Sequence, residues 1–162
     1  MKIIPYNIKK AVQYARTFAL IKNPKYYDFD MLGGDCTNFV SQCVFEGVGI
    51  MNFTKTFGWY YRSLRDRAPA WTGVDEFFSF MVKNIGQGPY AKVVNLTEVS
   101  NGDVIQLQNS SGQFYHSLFV TEVSNREILV CSHTRDALDV PLSSYYFFNN
   151  RVLHIEGARQ FG

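Results

Sequence analysis

The stretch "MLGGDCTNFVSQC", residues 31–43, runs two glycines and an aspartate into Cys36, and a second cysteine follows at position 43. A cysteine at that place can act as a nucleophile, a metal ligand, half of a disulfide or a packing residue. Residues seven apart on a helix share a face but lie about 10 Å apart at 1.5 Å per residue. That is too far for Cys36 and Cys43 to share one tetrahedral zinc or a disulfide. Three cysteines are an odd number and make no disulfide framework. Cys43, mid-helix on an apolar stripe, and Cys131, inside "ILVC", read as core. Cys36 differs in position: it opens the helix, where unpaired backbone N–H groups and the positive dipole end favour a thiolate and can hold an oxyanion.

A nucleophilic cysteine needs a base, and only His116, His133 and His154 are available. His116 opens "HSLFVTEV", and His133 follows "EILVCS" across a hairpin. A Ser124-Asn125 turn, with Val123 opposite Arg126, sets His116 opposite His133. Cross-strand partners have Cβ atoms about 5 Å apart. In that register His133 orients the imidazole of His116, making a Cys36–His116–His133 triad. A turn at Asn125-Arg126 sets His133 opposite Leu118 instead and makes Asp136 the alternative orienter. Zinc held by Cys36, His116 and His133 is a rival use of the same side chains. His154, in "VLHIEG", reads as structural. Asp35 reads as a helix cap or as the residue that orders the turn before Cys36, with a carboxylate too acidic to serve as the base. Ser117 and Ser132 lack a G-x-S-x-G context, so serine hydrolysis has no support.

The elements that must position these residues follow from periodicity. Apolar residues at Ile8, Val12, Ala15 and Phe18 predict a helix over 7–21, with Pro24 beyond it. A second helix starts at Asp35 or Cys36 and stops at Gly47 or Gly49. Residues 50–73, rich in Tyr, Trp and Arg, read as a long loop or short helix that can wall a cleft with Trp59, Tyr60 and Tyr61. A third helix is expected in "TGVDEFFSFMVKNIGQG", capped by Thr72 with Glu76 and closed by Gly86 and Gly88. From "NGDVIQL" onward the pattern is strand, turn, strand, ending in "RVLHIEG". Helices first and an antiparallel sheet second make an α+β fold, a single domain over 1–162.

Composition sets outer limits. Hydrophobic residues are 46% and charged residues 19%, which excludes a disordered chain. A net charge of +2 gives no basis for nucleic-acid binding. The cluster Arg62, Arg65 and Arg67 reads as solvated surface or as a contact for an acidic substrate group. No segment is long and apolar enough to insert in a membrane, and the N-terminus lacks a signal-peptide core. The expectation is a soluble protein, either of a reducing compartment or cut from a longer secreted one.

"GGDCTNFVSQCVFEGVG", the upstream "AVQYARTFALIKNPKYYDFD", "NGDVIQL", "YHSLFVTEV" and "SHTRDALDVPLSSY" together resemble the bacterial putative amidase domain family over roughly 6–155. That family is similar in turn to the papain-like NlpC/P60 and CHAP cysteine peptidases and amidases. The resemblance implies a papain-like α+β fold, Cys36 as nucleophile, His116 as base and His133 in the place of the third residue, with Ser132, Thr134 and Asp136 also in view. It implies cleavage of amides, often in cell-wall peptides, with no metal or organic cofactor. Two other readings keep the same fold: a peptide- or glycan-binding module with an unreactive Cys36, and a thiol acyltransferase that passes its acyl group to an amine.

Overall fold

The computed structural model describes residues 1–162. In chain order the elements are β1 (Lys2–Ile4), α1 (Ile8–Phe18), α2 (Cys36–Val48), β2 (Tyr61–Ser63), β3 (Asp66–Arg67), α3 (Pro69–Thr72), α4 (Val74–Lys83), β4 (Gly88–Val94), β5 (Val104–Gln108), β6 (Phe114–Val123), β7 (Ile128–Ser132), β8 (Ala137–Pro141) and β9 (Asn149–Gln160). Seven strands form one antiparallel sheet in the order β1-β9-β5-β6-β7-β8, with β4 also paired to β9. A small β2–β3 hairpin stands apart. The fold is α+β, as the order of patterns in the sequence requires.

Alternation along β6 divides the core. Ser117, Phe119 and Thr121 share one face, and Phe119 joins Cys131, Val104 and Leu153 against α1, α2 and α4. Leu118 and Val120 share the other face with Ile105, Leu107, Val130 and Val152, which Val99 and Leu142 cover. Two apolar layers thus clamp β5, β6 and β9, and both faces of the central strands are buried.

Three element boundaries differ from those expected, each for a local reason. α1 ends at Phe18, not at 21. Leu20 and Ile21 are exposed, and the Phe18 carbonyl accepts a hydrogen bond from His133 Nε2 at 2.7 Å. The third long helix, α4, is capped by Gly73 without a side-chain bond. Thr72 instead closes α3 and accepts from Arg67 Nε at 3.2 Å. Asn84, not Gly86, follows its last turn, and Gly88 opens β4. The aromatic stretch 57–71 supplies core: Trp59 and Trp71 are fully buried, their rings 4.6 Å apart. Their indole N–H groups donate to Ser41 Oγ and Asn38 Oδ1 on α2 at 3.0 Å each, so the loop grips the helix that carries Cys36. Of the expected arginine patch, Arg67 covers the Phe29 ring at 4.5 Å and Arg62 pairs with Asp66 at 3.4 Å.

α2 ends where its sequence predicts. Gly49 has φ 71°, and its N–H returns to the Phe45 carbonyl at 2.7 Å. This left-handed position follows the last turn and suits glycine alone among unstrained choices. Gly49→Ala places a Cβ in open space, so its cost is purely conformational. It is expected to lower stability by about 1–2 kcal/mol, read by urea denaturation, with no change in Cys36 labelling.

Candidate active site

Cys36 is the first residue of α2, and the turn before it is built on two glycines with φ 86° and 99°, Gly33 and Gly34. Asp35 follows them. Its side chain makes no cap bond to the helix. It is instead a buried hub. Oδ1 accepts from the Phe29 N–H at 2.8 Å and from Asn38 Nδ2 at 2.9 Å. Oδ2 takes Lys22 Nζ at 3.1 Å and His133 Nδ1 at 2.5 Å. The Asp35 N–H donates to Thr134 Oγ1 at 2.7 Å. Burial alone would raise the Asp35 carboxyl. The bonds from His133, Asn38 and Phe29 and the Lys22 charge outweigh it and hold it below the ordinary carboxylate range.

His133 therefore does not orient His116, contrary to the expected triad. Its Nε2–H donates to the Phe18 carbonyl, which can only accept, and its Nδ1 lies 2.5 Å from Asp35 Oδ2. Both ring nitrogens are spent on positioning, and the ring stacks on Phe39 at 4.1 Å. The hairpin explains the change. Ser124 N–H bonds to the Glu127 carbonyl, so the turn is Asn125-Arg126, and Val123 pairs with Ile128. A bulge between Val120 and Glu122 then shifts the register, and Phe119 pairs with Cys131. In that register His133 falls on the α2 side, with Ser117 and Phe119. The zinc set Cys36–His116–His133 is not assembled for the same reason. Asp136 lies 4.0 Å from Lys22 Nζ, Ser132 bonds to the Tyr145 hydroxyl at 3.1 Å, and Thr134 donates to Asp30 at 3.0 Å, so each has another partner.

The start of α2 touches β6 one residue after His116, with Thr37 Oγ1 2.9 Å from Ser117 Oγ, and no hydrogen bond joins the Cys36 sulfur to the His116 ring. Cys36 lies near Ser117, the residue after His116, and the Ser117 backbone N–H favours its thiolate. Val120 N–H donates to the Asp103 carbonyl on the β5 side, so alternation turns the Ser117 N–H toward the opposite edge. There the pairing of β7 with β6 has ended at Phe119–Cys131. The Thr37 hydroxyl, 3.8 Å away, and the Thr37 N–H also serve the sulfur. Burial nevertheless pushes the Cys36 thiol up, with a smaller push from the Asp35 charge, against these three donors.

His116 is 7% exposed, and its ring lies 6.0 Å from that of Tyr145. Of all buried side-chain nitrogens and oxygens, its Nε2 alone has no hydrogen-bond partner. Burial, and then the Arg135 charge, lower its pKa to about 4. At neutral pH the site therefore holds a neutral thiol and a neutral imidazole. His154 lies elsewhere: its Nδ1 meets Asp103 Oδ1 at 2.8 Å and Ser100 Oγ at 3.4 Å. Aspartate and serine share one nitrogen there, which makes a structural tie and not a relay. A recess of about 640 Å³ between the 52–58 loop and α4 contains neither Cys36 nor His116.

Residues 5–155 match the model of the family described as Putative amidase domain. The chain belongs to that family. It is 30% identical over 146 residues to the Bacillus subtilis protein YjcM, described as uncharacterized, covering 84% of this chain and 32% of that one. YhbB of Bacillus subtilis, likewise described as uncharacterized, is 29% identical over 118 residues, covering 71% and 37%. The chain thus spans about a third of the length of these curated relatives. No solved structure matches it significantly. No helix is long and apolar enough to cross a membrane.

Sequence reasoning missed Lys22 and Phe18 as anchors of the turn. Only the density of Asp28, Asp30 and Asp35 in the sequence hinted that a cation must sit among them. Lys22 Nζ lies 3.5, 3.0 and 3.1 Å from the three carboxylates and fills that place. Replacing Asp35 by Asn leaves the buried His133 and the half-buried Lys22 without their carboxylate. It is expected to cost about 3–5 kcal/mol in urea unfolding. His116 sets a second expectation. The unfolded chain binds its histidine proton near pH 6.5, the folded chain near 4, so stability contributed by His116 falls as pH drops through that window. Wild type is expected to lose roughly 2–3 kcal/mol more than His116→Leu between pH 7 and 4.5. Parallel losses in the two proteins would contradict the assignment.

Proposed function

We propose that this domain is a cysteine-nucleophile amide hydrolase acting on peptide amides, with bacterial cell-wall peptides as the substrate class. One observation carries the reading: the sulfur at the first residue of α2, 3.8 Å from the Thr37 hydroxyl, lies near the residue next to the one buried imidazole with an unpartnered nitrogen. An unpaired buried polar atom costs about 1–3 kcal/mol and is tolerated where chemistry uses it. The family match supports amide chemistry, and the relatives in Bacillus subtilis support a bacterial setting. The papain-like likeness to NlpC/P60 and CHAP domains belongs to this proposal. The resemblance is in the order of parts: a helix-borne cysteine, then a histidine at the start of a strand.

The mechanism starts from the neutral pair. His116 takes the thiol proton as Cys36 attacks the amide carbonyl, and the Ser117 and Thr37 donors stabilise the forming thiolate. The Cys36 N–H, free at the first turn of α2, faces the developing oxyanion. The tetrahedral adduct collapses as His116 gives its proton to the leaving amine. Water, with its proton taken by His116, then cleaves the thioester and releases the acid. Met31 and Leu32 before the Gly33-Gly34 turn, and Tyr115 beside His116, are exposed apolar groups that form the entry.

Cys36→Ser and His116→Ala are each expected to abolish release of new amine ends from cell-wall fragments, followed by mass spectrometry. Iodoacetamide labelling of Cys36 is expected to slow at least tenfold in His116→Ala below pH 8. Equal labelling rates in wild type and His116→Ala would remove the histidine from the mechanism. Fragments left uncut by wild type would remove the cell-wall substrate.

A further inference from the structure

A file of polar side chains crosses the core and ends on the Cys36 sulfur. Arg151 on β9 is held between the rings of Phe78 and Phe114, 3.8 Å from each centroid, and its Nη2 pairs with Asp75 at 2.8 Å. Its Nε donates to Gln106 Oε1 at 2.8 Å. Gln106 Nε2 donates to the Val74 carbonyl at 3.0 Å and to Ser117 Oγ at 3.1 Å. Ser117 Oγ lies 2.9 Å from Thr37 Oγ1, and Thr37 Oγ1 lies 3.8 Å from Cys36 Sγ. Gln106, Ser117 and Thr37 are each 0% exposed.

Chemistry fixes the direction of the first links, from Arg151 through Gln106 to Ser117, and leaves the two hydroxyls able to continue it. A guanidinium only donates, and a backbone carbonyl only accepts. Gln106 must therefore turn its oxygen to Arg151 and its NH₂ to Val74 and Ser117. Ser117, accepting from Gln106, has its own hydrogen left for Thr37. Thr37, accepting from Ser117, has its hydrogen left for the sulfur. Continued in that direction, each hydroxyl is oriented by the one before it, and the file begins at a permanent positive charge. Bonds aligned in this way polarise one another.

We propose that Arg151, Gln106, Ser117 and Thr37 form a one-way donor chain that positions the Cys36 sulfur as a hydrogen-bond acceptor, with Thr37 and Ser117 as positioning residues for the nucleophile. The proposal rests on the reading of Cys36 as the nucleophile and extends it. The chain supplies a fixed donor to the thiolate that His116 generates. It opposes the neighbouring Asp35 carboxylate, which disfavours that thiolate. The other charged or titratable groups around the site are His116 on β6, His133 and Arg135 after β7, and Lys22 on Asp35. None of them is a link in the chain.

The experiment is a pH titration of the Cys36 thiolate by ultraviolet absorbance, taken as a difference against Cys36→Ser, so that Cys43 and Cys131 cancel. It reads ionisation whether or not the thiol reacts. Thr37→Val keeps the shape and removes the last donor. Its midpoint is expected about one pH unit above wild type. Ser117→Ala keeps the backbone N–H and removes the link before, and a smaller shift in the same direction is expected. The double variant is expected to shift no further than Thr37→Val, because both act through one hydroxyl. Thr37→Ser is expected to restore the wild-type midpoint. A wild-type midpoint in folded Thr37→Val overturns the chain, and so does full additivity in the double variant. Should Thr37→Val fail to fold, an unshifted midpoint in Ser117→Ala overturns it. Iodoacetamide labelling of the same proteins separates the two ideas: loss of dependence on His116 rejects the hydrolase mechanism, whereas an unmoved thiolate midpoint rejects only the chain.

Discussion

The structure around Cys36 depends on one buried carboxylate. Asp35 is 1% exposed, and a charge there is tolerable only with its acceptor capacity filled. Four donors fill it, from Lys22 after α1, Phe29 in the turn, Asn38 on α2 and His133 after β7. Each donor belongs to a different segment, so satisfying one side chain fixes four pieces of backbone. The start of α2 has little other means of fixing its place. The residues before Asp35 are two glycines in left-handed conformations, and the helix lacks a side-chain cap. The ion pair does what a cap and a rigid turn would otherwise do, and it does so at the residue next to the sulfur.

That arrangement decides the resting state. A helix N-terminus and three donors favour the thiolate, yet burial, helped by the Asp35 charge, keeps the thiol above its ordinary value. Burial and Arg135 push His116 the other way, to about 4. Both shifts favour the uncharged partner, so an ion pair at rest is the weaker alternative. In the proposed mechanism, proton transfer then belongs to the step in which the carbonyl arrives, when charge passes through the sulfur to the oxyanion instead of accumulating on it. A neutral site also has little attraction for stray cations or electrophiles before substrate binds.

Much of this was legible in the chain. Cys36 at a helix start, Gly49 at its end and the antiparallel hairpin beyond His116 follow from local rules of period, cap and turn. The partner of His116 was not legible, because the register depended on two small choices. The turn took Asn125-Arg126, and a bulge near Thr121 moved the pairing by one more residue. A one-residue slip reverses the face of every side chain beyond it, and that moved His133 from the base to Asp35. Trp59, in the aromatic loop that runs on to Trp71, was equally ambiguous as cleft or core. The place of both indoles depended on Ser41 and Asn38, polar residues of α2 whose acceptors cannot be inferred from a helical period. β1 and β4 escaped because both pair with β9, far along the chain.

The distribution of polar groups between the helices and the sheet carries the last step of the argument. Gln106, Ser117 and Thr37 stand where leucine or valine would pack more cheaply, and they are retained with every link made. A fully joined network of this kind costs little, whereas a broken one costs more than an apolar core. His116 Nε2 is the exception, unpartnered beside a hydroxyl pair that has bonded to itself, Ser132 with Tyr145. A fold that satisfies its other buried side-chain nitrogens and oxygens has the means to satisfy one imidazole. The uncompensated atom lies one residue from the N–H that serves the sulfur, so the expense falls where a proton must come and go. The loose nitrogen is therefore better read as part of the chemistry than as a defect of packing.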